Sequence, residues 1–135
     1  MKAAAVTLID TSSWIEALRR NGDEETRERV RMLLVNGSAA WCDMIRLELW
    51  HGAGGPAEAE MIRRLEEDLP SLPLTDGVWQ TACELGRRAR AAGLTVPSTD
   101  LVIFACAQHH GATLEHRDRH FDLIAGVAGE SELRG

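Results

Sequence analysis

The chain has no pair of cysteines at redox or metal-ligating spacing. Cys42, Cys83 and Cys106 are scattered and odd in number, which argues against a disulfide framework and a cysteine zinc site and favours a reducing compartment. Long hydrophobic runs are missing too. The longest charge-free apolar stretches, Ala3 to Ile9 and Leu101 to Ala107, fall far short of the roughly 20 residues a membrane span requires. The first ends at Asp10 with no convincing cleavage site, so it does not read as a signal peptide. The expected location is the cytoplasm. Nor is there an excess of basic charge: 15 Lys and Arg stand against 21 Asp and Glu, a net charge of −6. A general nucleic-acid binder would carry the opposite sign. Acidic sites neutralised by a bound cation remain compatible with that balance. Lysine is nearly absent, Lys2 being alone among the basic residues, which reads as the codon bias of a GC-rich genome.

What is present is ordinary globular material. The 135 residues are 44% hydrophobic and 27% charged, enough for one domain spanning residues 1–135 and too few for a second core. Val6-Thr7-Leu8-Ile9 reads as a buried parallel strand. A helix follows Asp10 directly, with Ser13 and Glu16 spaced as a capping box. A second helix is expected from Asp23 to Val35, ended by Asn36-Gly37. Ser38 to Cys42 reads as a second strand and Asp43 starts a third helix. Gly52 to Gly55 is a loop, and Pro56 suits the first turn of the next helix. Pro70 and Pro73 bracket an expected third strand around Leu72 and Leu74. Thr75 or Asp76 caps a helix closed by Gly93, and Ser98-Thr99 caps another closed by Gly111. Ala112 to Leu114 reads as a further strand. Strands alternating with helices predict a three-layer α/β/α domain around a parallel sheet of about four or five strands.

In such sheets, sites gather beyond the carboxyl ends of the strands. Asp10 stands there, although an Asp before a helix is also a common cap. Glu48 shares a helix face with Met44, Ile45 and Leu49, a costly place for a carboxylate unless it is paired or bound to metal. Arg46 is its local alternative. Asp100, in a first helical turn, also complements a helix dipole. Asp118, between Arg117 and Arg119, also fits a solvated loop. As a set the four carboxylates can converge on one cleft, where they repel one another unless a divalent cation such as Mg²⁺ or Mn²⁺ neutralises them.

Other site types lack their residues. There is no GxGxxG, no GxxxxGK[ST] and no GxSxG. Asp10-Thr11-Ser12 has serine where an aspartate-based phosphatase needs a second Asp. His116 and His120 are four apart, but no HExxH and no third ligand in register accompany them. Trp14, Trp41, Trp50 and Trp79 read as core or partner-interface anchors rather than a base-stacking platform.

The block from Leu8 to Glu16, then Leu47-Glu48-Leu49, Pro97 to Leu101, and His116 to Phe121 resemble, in order, the acidic blocks of PIN-domain ribonucleases. More narrowly they resemble VapC-type toxins. The resemblance implies a Mg²⁺-dependent endoribonuclease, with Mn²⁺ as an alternative ion, inhibited by a cognate antitoxin and expected as a homodimer. Asp10, Glu48, Asp100 and Asp118 fall on the family's acidic positions, and Thr11 or Ser12 on its hydroxyl position. It further implies that Asp10 and Asp100 hold the ion most directly, and that tRNA, rRNA or mRNA is cut. Two positions depart from the pattern: Thr99 stands where Asn is frequent, and His120 where a second acid is frequent. A PIN-like module that binds RNA or protein without cutting is the alternative.

Overall fold

Three apolar or β-branched residues, Thr7–Ile9, form the central strand β1, fully buried at Leu8 and Ile9. The computed structural model describes residues 5–134, with side chains through residue 129. Along the chain β1 is followed by α1 (Thr11–Leu18), α2 (Glu24–Val35), β2 (Ala39–Ala40), α3 (Asp43–Gly52) and α4 (Pro56–Asp68). Then come α5 (Asp76–Ala91), α6 (Ser98–His109), β3 (Thr113–Glu115) and α7 (His120–Arg134).

The sheet is parallel with strand order β2-β1-β3. Passing from β1 to β2 the chain steps one way, and from β2 to β3 it steps back past β1. Right-handed crossovers then place α1 and α2 on one face and the helices between β2 and β3 on the other. This is the expected three-layer arrangement, but among the described residues the sheet has three strands rather than four or five. The segment expected as a strand around Leu72 and Leu74 makes only an isolated bridge, Ser71 to Trp41. The Leu72 N–H donates to the Trp41 carbonyl at 2.8 Å, but Pro70 and Pro73 have no N–H to carry the ladder further.

Two helix starts also differ from expectation. Asp10 itself is the N-cap of α1, accepting from the Ser12 N–H at 2.9 Å. Ser13 is therefore already inside the helix, and no capping box forms: its hydroxyl donates to Glu115 at 2.9 Å and Glu16 pairs with Arg19. At α6 the cap is Pro97, without a side-chain bond from Ser98 or Thr99. Asp100 is thus the third residue of that helix.

α6 is the axis of its layer. Val102, Ile103, Ala105, Cys106 and Ala107 are all buried, so the helix is covered on more than one side, packing against α5, α3, α7 and β3. Gly111, at φ +65°, turns it into β3 through a conformation that only glycine adopts without strain. Trp14 and Trp41 are fully buried, whereas Trp79 is 44% exposed. No described helix is long and apolar enough to cross a membrane.

Candidate active site

Neighbouring parallel strands end side by side, so the residues just beyond them share one edge. β1 and β3 are paired with Ile9 opposite Glu115. Asp10 follows the first strand and is 3% exposed. Asp118 lies in the short loop after the second and is half-buried. The first turn of α6 brings in Asp100, 6% exposed. Glu48, on α3 beside α1, accepts a 2.7 Å hydrogen bond from the Thr11 hydroxyl. The structure therefore gathers all four carboxylates singled out in the sequence, together with Thr11 and Ser12.

The hydroxyls fix the acids. Ser12 donates to one oxygen of Asp10 through its N–H at 2.9 Å and its hydroxyl at 2.6 Å. The same hydroxyl accepts from the Arg117 N–H at 2.9 Å, tying the end of β1 to the loop that carries Asp118. The alternatives weighed for single residues resolve differently. Asp10 caps α1 and faces the cleft at once. Arg46 pairs with Asp43 and Glu66 at 3.6 and 3.3 Å, leaving Glu48 to Thr11.

The electrostatics bind the four into one group. Burial raises the Asp100 carboxyl from 3.8 to about 7, and the charges of Asp118, Asp10 and Glu48 add to it. Burial likewise raises Glu48, with Asp10 and Asp118 contributing. At Asp10 burial outweighs the Ser12 hydrogen bonds, and Asp118 pushes the same way. Asp100 Oδ2 is buried without a hydrogen-bond partner, a costly state for a carboxylate oxygen. One donor atom each from Asp100, Asp118 and His120 lies within 4.8 Å of the others. A divalent cation satisfies such oxygens and offsets their repulsion, so the cluster fits a metal ion.

Two expectations about the last block change. The two arginines that flank Asp118 in the sequence invite a reading as guides for a phosphate backbone at the cleft rim; the Arg117 guanidinium instead lies 2.7 Å from Asp23 and donates to Thr26 at 2.8 Å. Asp23 caps α2, so an available partner outcompetes solvent for that side chain. His120 is the residue that sequence spacing misses, because spacing relates it only to His116. His116 turns its Nδ1 to the Asp118 N–H at 3.3 Å and its ring to Phe121. His120 Nδ1 instead lies 2.8 Å from Asp118 and 3.6 Å from Asp100. The available signal was its place two residues after Asp118, where the resembled pattern carries an acid.

The PIN domain family model matches residues 7–127. Ribonuclease VapC11 of Mycobacterium tuberculosis is 41% identical over 124 residues, covering 89% of this chain and 92% of that protein. Among solved structures, FitAcB from Neisseria gonorrhoeae aligns with a TM-score of 0.71 at 21% identity, over 89% of this chain and 94% of that one. VapBC-5 from Mycobacterium tuberculosis, a member of the VapBC family of toxin–antitoxin systems, aligns with a TM-score of 0.68 at 21% identity, over 91% and 93%. At those identities the solved structures speak for the fold, while the family match and the closer sequence likeness speak for ancestry. This chain belongs to the PIN-domain family, within its VapC branch.

Proposed function

We propose that the protein is a metal-dependent endoribonuclease and the toxin of a toxin–antitoxin pair. The observation that carries this reading is the convergence of Asp10, Glu48, Asp100 and Asp118 at the carboxyl edge of the sheet, with Asp10 and Asp100 buried. The ribonuclease name of a 41% identical relative supports RNA as the substrate class. Asp10 and Asp100 hold the ion most directly, and Glu48 and Asp118 complete its surroundings directly or through water. Bound there, Mg²⁺ or Mn²⁺ supplies a Lewis acid that activates water and offsets charge on the phosphodiester. Thr11 and Ser12 keep Glu48 and Asp10 in place. Arg119, without an ion pair among the described residues, offers its charge to the RNA backbone. The test is incubation of the antitoxin-free protein with structured cellular RNA. Cleavage with Mg²⁺ or Mn²⁺ that EDTA abolishes supports the reading, and RNA binding without cleavage overturns it.

The same reading assigns an antitoxin partner. A groove between α1, α3 and α4, lined by Ile15, Leu18, Leu49, Met61 and Ile62, reaches Thr11 and Glu48 at the edge of the cleft. An antitoxin tail with apolar side chains in that groove would bring an Arg or Lys to the carboxylates. Residues 1–135 act as one unit in this reading, as a homodimer in the cytoplasm. Co-expression of the antitoxin should relieve growth arrest, and equal protection by a tail-deleted antitoxin would exclude this mode of inhibition.

A further inference from the structure

His120 opens α7 and, among the described residues, is the histidine grouped with the cleft carboxylates. Its main-chain N–H donates to Asp118 Oδ1 at 2.9 Å, which pins the start of the helix against the cluster. Its Nδ1 stands 2.8 Å from that same oxygen and 3.6 Å from Asp100 Oδ2. A histidine beside two carboxylates ordinarily satisfies itself by donating its ring N–H to one of them. Here no such hydrogen bond is aligned: His120 Nδ1 and Asp100 Oδ2 are both buried without hydrogen-bond partners. Nor does the neighbouring guanidinium intervene, since Arg117 is held by Asp23 and Thr26. One donor atom each from Asp100, Asp118 and His120 crowds within 4.8 Å of the others, and the aspartate and imidazole members, Asp100 Oδ2 and His120 Nδ1, are the unsatisfied ones. Donors at right angles around an ion roughly 2.1 Å away lie about 3 Å apart. The two separations from Nδ1 bracket that value.

We infer that His120 is an imidazole ligand of the metal site, and that it biases this cleft towards a first-row transition ion over Mg²⁺. The inference rests on the metal-dependent reading above. Mg²⁺ seeks oxygen and water, whereas imidazole nitrogen is a better donor to transition ions. A neutral ring also adds a donor without adding negative charge. That helps a hard ion held by charge less than it helps an ion that binds nitrogen well.

Mn²⁺ and Mg²⁺ are the probes, used with the full chain free of antitoxin. Pulsed electron paramagnetic resonance of the Mn²⁺-loaded protein should show a directly coordinated ¹⁴N. The signal should vanish in His120→Asn and persist in His116→Asn. By calorimetry, His120→Asn should lower Mn²⁺ affinity by about tenfold or more while Mg²⁺ affinity changes less than about threefold. His120→Asp should reverse the preference towards Mg²⁺. Absence of the ¹⁴N signal from wild type overturns the inference without reliance on any variant. So does an equal fall for both ions, or a rise for both, which would mark His120 as a counter-charge that the ion displaces. If wild type binds Mn²⁺ and Mg²⁺ without nitrogen, only the assignment of His120 fails. If it binds neither, the metal-dependent reading fails with it.

Discussion

Two acidic clusters meet at the loop between β3 and α7, and they are built on opposite principles. On the α2 side, Asp23 and Glu115 are both held by partners. Asp23 accepts from the Thr26 N–H and hydroxyl at 2.9 and 2.8 Å and pairs with Arg117. These hydrogen bonds hold its carboxyl below the ordinary range, with the Thr26 N–H the largest cause. Glu115 receives the Ser13 hydroxyl at 2.9 Å and Arg29 at 2.8 Å. On the cleft side, Asp10, Glu48 and Asp100 face one another and Asp118, and all three are pushed upward. The side chains of neighbouring residues divide between the two: Arg117 clamps α2, and Asp118 enters the cleft. Arginine side chains are thus supplied to Asp23 and Glu115, where geometry must be held, while His120 alone of the described basic side chains reaches the cleft acids. Such a difference within one loop marks a functional site more firmly than any single perturbed carboxyl does.

The largest effect should come from removing a cleft acid. Asp10→Asn or Asp100→Asn keeps shape and loses charge, so RNA cleavage should fall by at least about 100-fold, more than the loss of an outer partner costs. Circular dichroism should show both variants folded. Full cleavage by either variant would erase the distinction between the clusters. On the other side, Asp23→Ala removes a helix cap and the anchor of Arg117. It should lower Tm by a few degrees, the usual scale for a lost cap in a domain this size, while cleavage drops less than about tenfold. A loss of cleavage as deep as that of Asp100→Asn, with Tm unchanged, would place Asp23 in the working site instead.

Much of this was legible because local chemistry carried it. The run Val6 to Ile9 followed by Asp10 marks a buried strand that leads straight into a helix, and it places the first acid. Asn36-Gly37, Gly93 and Gly111 mark helix ends through the positive φ that those glycines adopt. The four acids were readable as candidates because each sits beside a strand end, at a helix start or on an apolar helix face. What was not legible depends on distant partners. Nothing near Arg117 signals Asp23, and nothing near His120 signals Asp100, because those pairs form only when α2 and α6 dock. The capping box at Ser13 failed for a related reason: Glu115, far along the chain, claims the hydroxyl. The missing strand at Leu72 was a local misreading, since two prolines that delimit a segment also deprive it of donors.

The finest test of the comparison is stability without metal. Asp100 is raised from 3.8 to about 7 in the folded protein, so the folded state binds its proton more tightly than the unfolded chain does. Stability from this group is full below about pH 4 and is lost as pH rises through about 7. The lowered carboxyl of Asp23 works the other way, adding stability above its ordinary range and losing it in acid. In EDTA, wild type should therefore lose Tm between pH 5 and about 7.5, and Asp100→Asn should flatten that slope. At about pH 8 the variant should melt at least as high as wild type; relief on the order of 1 kcal/mol raises Tm by a few degrees in a domain of this size. Millimolar Mg²⁺ or Mn²⁺ should then raise wild type more than the variant, because binding to the native state stabilises by mass action and the intact cluster binds more tightly. Melting curves at two pH values, with EDTA and with metal, decide the matter. A variant that melts well below wild type in EDTA at pH 8 would show that the Asp100 carboxylate supports the start of α6 more than it strains the cleft, and the two clusters would no longer differ in kind.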